Sequence, residues 1–334
     1  VLLTEPQSTN LIDNSNDASQ WINVDTTIDQ NNIISPDGTL NADKFEFTGV
    51  GHIRPNTSQL TFVDNYDFSI FIKKGNSRYV TLHASNFTTS TIVGFDLDTE
   101  TAQSGGVIEN YGNDWYRLSI TNNVSGDDDK LGVFYVYLPN SLGSITSVSG
   151  NYGYVYGAQA EELSYATSYI PTYGTVRTRL QDSVTGAGTS SDFNDSEGVL
   201  FAEINFGQVH SSSRYIALSD GTTNNRVVIG VSANVTGTLS TFVSSGGSTQ
   251  SNMAFAVNIS ENHKVALKYK ENDFSLWIDG VKVISDNSGL TPIGLDNLRF
   301  SQGGLGNPFF GRTSQVQVFN TALSDFELTQ LTTI

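Results

Sequence analysis

The chain has 334 residues, a formal charge of −17 and no cysteine. That length suits two cores better than one. So strong an acidic excess leaves no basic stripe for phosphates, which argues against nucleic acid and anionic lipid heads, and the missing cysteines exclude disulfides and thiolate metal sites. The acidity points to a neutral or basic ligand, or to solubility alone. No apolar run approaches the roughly 18 residues that cross a bilayer, and no basic-then-apolar leader opens the chain, so no membrane insertion is expected. The 31 glycines, with abundant Ser, Thr and Asn, indicate many turns between short elements and predict an all-β protein.

In chain order, period-two alternation first stands out in "DFSIFIKKG", with Phe68, Ile70 and Ile72 on one face. It recurs in "WYRLSI" from Trp115 to Ile120 and in "VFYVYLP", where Phe134, Val136 and Leu138 alternate with Tyr135 and Tyr137. Tyr152, Tyr154 and Tyr156 alternate in "NYGYVYG". Such runs, bounded by Gly, Asn, Asp or Pro, mark half-buried antiparallel strands. From 180 to 198, "LQDSVTGAGTSSDFNDSEG" loses the alternation. It reads as a linker, or as a loosely packed first strand of the next unit.

The second half opens with "VLFAEINF" and "RYIALSDG" and reaches a hairpin in "DFSLWIDGVKVIS". There Phe274, Leu276 and Ile278 share a face, Asp279 and Gly280 supply a type I′ turn, and Val281 and Val283 return. After "SQVQVF", Ser324 and Glu327 have the spacing of a capping box, which predicts one short C-terminal helix. No fixed-period repeat is present, which leaves two tandem antiparallel β-sandwiches (jelly rolls): residues 1–180 and 199–334, joined by 181–198.

Three ordered phrases, "LLTEPQSTNLIDNSNDASQW", "NYGNDWYRLSIT" and "GAQAEELSYATSYIPTYGTVRTR", resemble the carbohydrate-binding-module-like jelly rolls of phage tail fibres and related virion proteins. The likeness spans roughly residues 1–182 and departs from the family at Ala160, usually Leu or Val, and at Tyr156, often Trp. "HKVALKYKENDFSLWIDGVKV" and "GRTSQVQVFNTALSDFELTQL" resemble laminin-G and concanavalin-A-like sandwiches, a fold that serves lectins, hydrolases, lyases and spacers alike. Together the resemblances imply a non-catalytic reader of cell-surface or extracellular polysaccharide in a virion tail or an extracellular adhesin. They also imply a homotrimer, no required cofactor, and a structural Ca2+ of the kind jelly-roll modules hold.

For the reader itself, alternating tyrosines are apt: rings stack on sugar C–H faces and hydroxyls bond to substituents. Tyr135, Tyr137, Tyr152, Tyr154 and Tyr156 are the candidates, with Arg54, Arg78 and His83 as polar partners. The competing assignment buries these rings in the core and turns Phe134, Val136 and Val155 outward.

Catalytic alternatives are thinner. Glu161 and Glu162 are adjacent, so a strand sends them to opposite faces, whereas a glycosidase needs two carboxyls flanking one bond. Glu271 and Asp273 alternate, but Ser275 stands where a third acid belongs. Gln208 and His210 in "GQVH" have the alternation of a jelly-roll polysaccharide lyase, without that family's accompanying Arg-rich and Tyr-bearing strands. A purely structural virion protein is the remaining alternative. His52, His83 and His263 lack metal-ligand spacing, Asp127 to Asp129 offer oxygen ligands for calcium, and Asn56, Asn86 and Asn258 head glycosylation triplets that chance explains.

Overall fold

Successive side chains leave a strand on opposite faces, so the alternating runs above become strands with one face on a core. A computed structural model describes residues 1–57, 65–85, 90–123, 132–207, 212–233 and 237–334. Its strands are β1 (Leu2–Thr4), β2 (Ser8–Asn10), β3 (Ile22–Ile34), β4 (Leu40–Arg54), β5 (Asn65–Lys74), β6 (Tyr79–Ser85), β7 (Thr91–Asp96) and β8 (Thr101–Ala102). Then come β9 (Gly106–Gly112), β10 (Trp115–Asn123), β11 (Val133–Tyr137), β12 (Tyr152–Glu161), β13 (Arg177–Arg179), β14 (Glu197–Asn205), β15 (Arg214–Ser219) and β16 (Arg226–Val231). The last are β17 (Thr238–Ser245), β18 (Ser248–Ala256), β19 (His263–Lys270), β20 (Phe274–Ile278), β21 (Val281–Asp286), β22 (Asn297–Arg299) and β23 (Gly311–Phe319), followed by helix α1 (Asp325–Thr332). The protein is thus all-β with antiparallel sheets and a short C-terminal helix. No helix among the described residues is long and apolar enough to cross a membrane.

Two compact units divide the chain: Gln7–Leu180, and Val1–Pro6 with Gln181–Ile334. The first six residues belong to the C-terminal unit, because β1 pairs with β23, Leu2 opposite Thr313, and the Thr4 hydroxyl donates to the Phe309 carbonyl at 3.0 Å. Residues 181–198, expected as a linker or as a loosely packed first strand of the next unit, fall within the C-terminal unit. Ala187 and Leu298 exchange two backbone hydrogen bonds, Phe300 N–H donates to the Val184 carbonyl, and Phe193 packs against the C-terminal core.

In the N-terminal unit the strand path is β8-β7-β6-β11-β4-β12-β5-β10-β9, with β3 along the other edge of β4. Strand β4 serves both layers: its end pairs with β11, Ile53 opposite Val136, and its beginning with β12, Asp43 opposite Val155. Between them the register against β3 jumps from His52–Val24 to Phe47–Thr26, a bulge that bends the strand. Gly51 sits in that bend; a Cβ there would lie 1.8 Å from the Val24 carbonyl oxygen. The core lies between the layers, with Leu82, Phe134 and Val136 on one side and Phe68, Ile70, Leu118 and Val155 on the other. Phe68 and Phe134 stack across it at 4.6 Å.

In the C-terminal unit a six-stranded sheet (β1-β23-β14-β19-β20-β21) and a five-stranded sheet (β18-β17-β16-β15-β22) enclose Leu200, Ile229, Val243, Leu267 and Leu276. Phe274, Leu276 and Ile278 share the core face as expected, and Asp279 and Gly280 both adopt positive φ, 50° and 83°. Helix α1 carries the full capping box of Ser324 and Glu327. It sets Leu328 against Val199, Phe201 and Trp277 on the back of the six-stranded sheet.

Candidate functional site

Because Phe134 and Val136 belong to the core, alternation turns Tyr135 and Tyr137 away from it; Tyr135 stays half-buried there, whereas Tyr137, a sequence candidate, is covered at 8% exposure. The neighbouring strands do the same to their alternate residues: Leu82 and Ile53 go inward, leaving Thr81, His83, His52 and Arg54 outward. Cross-strand register then lays two rows over β7, β6, β11, β4 and β3. One runs Ile92, His83, Tyr135, Arg54, Ile22; the other runs Gly94, Thr81, Tyr137, His52, Val24. Apolar residues rim both edges, Ile92 at 43% exposure and Ile22 and Val24 at 38%.

Tyr135 is the centre. His52 meets its ring edge-on at 4.7 Å and 88°, His83 lies nearly parallel at 5.5 Å, and Tyr137 stacks at 6.1 Å. The Arg54 guanidinium sits 5.8 Å from the Tyr135 ring centroid, a cation–π arrangement. Burial lowers the pKa of His83; burial, then Arg54, lowers that of His52. Burial, with Tyr135 adding to it, pushes the Tyr137 phenol up to about 12. Near neutral pH the two imidazoles and the Tyr137 phenol are therefore uncharged. His83 Nε2 shares a hydrogen bond with Ser90 Oγ at 2.8 Å. Its Nδ1 and the hydroxyl of the fully buried Thr81 are buried without a hydrogen-bond partner, and such atoms usually have one.

The remaining sequence candidates lie elsewhere. Tyr152, Tyr154 and Tyr156 alternate on β12 with Val155 in the core, so they point out of the opposite layer and are not joined to Tyr135. Tyr156 is covered: it packs with Ala42, Phe71 and Trp115, is 5% exposed and donates to Asp37 Oδ2 at 2.8 Å. Asp37 stays well below the usual carboxylate range: burial would raise it, but bonds from Thr39, Ser35 and Tyr156 outweigh that. Tyr152 and Tyr154 are half-buried, and Lys44 Nζ lies 4.5 Å from the Tyr152 ring centroid. Arg78 is committed to Asp96, Nε to Oδ1 at 2.9 Å and Nη2 to Oδ2 at 2.5 Å; the Arg78 bond lowers Asp96 to about 2 although burial alone would raise it.

Strand geometry separates Glu161, fully buried, from exposed Glu162. Glu161 accepts from Ser8 Oγ at 2.5 Å and Thr167 N–H at 2.8 Å, so it pins the closing segment. His263 is held by Asp279 at 2.6 Å and the Asn258 carbonyl at 2.9 Å, and Asp273 pairs with Lys268 at 2.7 Å. Gln208, His210, Asp127 to Asp129 and Asn86 lie outside the described residues. Among the described residues no cluster of three or more His, Asp or Glu is placed to hold a metal.

Sequence reasoning passed over His52 and Thr81. Alternation in "GHIR" does put His52 and Arg54 on one face, which was the available signal; Thr81 joins only through the pairing of β6 with β11.

No protein-family model and no curated protein matches the sequence. Among solved structures, the CBM40 module of the Ruminococcus gnavus IT-sialidase covers 46% of this chain and 97% of its own, at 17% identity and TM-score 0.38. The leech intramolecular trans-sialidase covers 45% of this chain and 26% of its own, at 18% identity and TM-score 0.35. Mouse laminin α1 domains LG4-5 cover 84% and 93%, at 12% identity and TM-score 0.27. At such values function has to be argued from the faces themselves.

Proposed function

We propose that this protein is a non-catalytic carbohydrate-recognition protein and that its N-terminal unit binds a saccharide over Tyr135. The observation that carries this reading is the half-buried Tyr135 ring on the outward side, set among His52, His83 and Arg54 and backed by the covered Tyr137. Flat rings accept the apolar C–H face of a sugar, while imidazole nitrogens, phenols and a guanidinium meet its hydroxyls. The printed names of two shape neighbours, a sialidase CBM40 bound to α2,3- and to α2,6-sialyllactose, describe a carbohydrate ligand for that module. The finer context, a virion tail fibre or extracellular adhesin assembled as a homotrimer and stabilised by calcium, rests on the three sequence phrases. In such an assembly, weak single sites gain from multivalency.

A glycan array probed with the wild-type chain and with Tyr135→Ala, run beside an assay for new unsaturated sugar ends, tests the reading. Binding that Tyr135→Ala abolishes, with no cleavage, supports it. Cleavage lost in His210→Ala would replace it with the lyase, and no binding at all would leave a structural protein.

A further inference from the structure

The binding face is unusual in its charge. The chain holds 34 acidic against 17 basic residues, yet none of the residues in the two rows over β7, β6, β11, β4 and β3 is Asp or Glu. Two acids flank the rows. Asp96 lies at the end of β7 and is neutralised by Arg78, and Asp25 lies against Gly49 in the β4 bulge. Arg54 forms no ion pair among the described residues, and its guanidinium rests against the Tyr135 ring. A cation beside an aromatic ring, without its own carboxylate, suits an incoming anion with a flat two-oxygen head, because the guanidinium fork matches a carboxylate in two parallel hydrogen bonds. The Thr81 hydroxyl and His83 Nδ1, buried on the same side of the sheet, bring no negative charge.

We propose that this face selects saccharides bearing a carboxylate, with Arg54 taking the carboxylate and Tyr135 stacking on the ring that carries it. The inference rests on the carbohydrate reading above and narrows it to acidic sugars, against the overall charge of the chain.

Calorimetric titration of the full chain at about 0.15 M salt, where long-range charge effects are screened, tests it with paired ligands. The probes are oligogalacturonate, oligoalginate and sialyllactose, each beside its carboxyl-reduced form. For at least one pair the acid is expected to bind about tenfold tighter than its reduced partner, the scale of a charge-assisted hydrogen bond. Arg54→Gln should bring that ratio to about one, and Arg54→Lys should restore part of it, since a point charge lacks the fork. Equal affinity within every pair overturns the acid preference and leaves the carbohydrate reading standing. A preference that survives Arg54→Gln overturns the role of Arg54. Binding to no member of any pair overturns the acid preference, and the glycan array then decides the carbohydrate reading.

Discussion

The tyrosines of β11 and those of β12 carry the same sequence signal and meet different fates. Tyr135 stays half-buried on an outer side that gathers two imidazoles and a guanidinium, with the covered Tyr137 beside it. Tyr156 is roofed by Ala42, Phe71 and Trp115, and the hairpin joining β3 to β4 reaches back over it: Trp115 Nε1 donates to the Ile34 carbonyl at 3.2 Å, and Asp37 accepts from the Tyr156 hydroxyl. Alternation fixes which side of a sheet a ring takes; what covers that side is set by segments far away in sequence.

Replacing one tyrosine from each set separates the two roles. Tyr156→Ala should cost about 3 kcal/mol of stability, as large-to-small changes in packed sites do, read as an earlier urea midpoint, and should leave saccharide affinity unaltered. Tyr135→Ala should do the reverse, lowering affinity at least about tenfold, the scale of a lost stacking partner, with little change in that midpoint. A loss of binding in Tyr156→Ala at temperatures where the variant is folded would show that the covered face takes part.

Acid and alkali should also act on the faces in opposite senses. On the covered side Asp67 is pushed up to about 8 by burial and then by Glu161, its cross-strand neighbour. A raised carboxyl stabilises the fold fully below its unfolded pKa near 4, and that contribution is lost as pH rises through about 8. The unfolding midpoint should therefore fall from about pH 4 to about pH 8 and level off above it, and Asp67→Asn should flatten that slope. On the open side His83 has a lowered pKa from burial, so its contribution is present above the unfolded value near 6.5 and disappears as pH drops below it. His83→Gln should remove that acid limb. Thermal unfolding at intervals from pH 4.5 to 9 resolves both, and slopes unchanged in the variants would reject the assignments.

The smallest effect is expected at Arg78, a sequence candidate that the fold spends on Asp96. Arg78→Ala should leave saccharide binding unchanged, and only a slight shift in unfolding is expected for an exposed ion pair. A clear affinity loss would return Arg78 to the site.

Much of the architecture is legible in the sequence because it rests on local rules. The Asp279-Gly280 turn, the Ser324 capping box, the inward Phe134 and Val136 and the separation of Glu161 from Glu162 all follow from periods of 2 and 3.6 and from turn chemistry. The Ca2+ and lyase candidates fall on undescribed segments. Net charge averages over the whole surface and so does not describe the few groups on one face that would meet a ligand.

The sequence by itself determined the strands, their inward and outward residues, the hairpin and the capped helix, since each depends on neighbours within a few positions. Only the tertiary structure decided that Leu2 to Thr4 join β23, that 181–198 is fastened to its unit, and that Tyr135 meets His52, His83 and Arg54 while Tyr156 does not. Those outcomes depend on strand order and on the bend at Gly51, where contacts between residues tens or hundreds of positions apart decide which outward face is covered and which is left open.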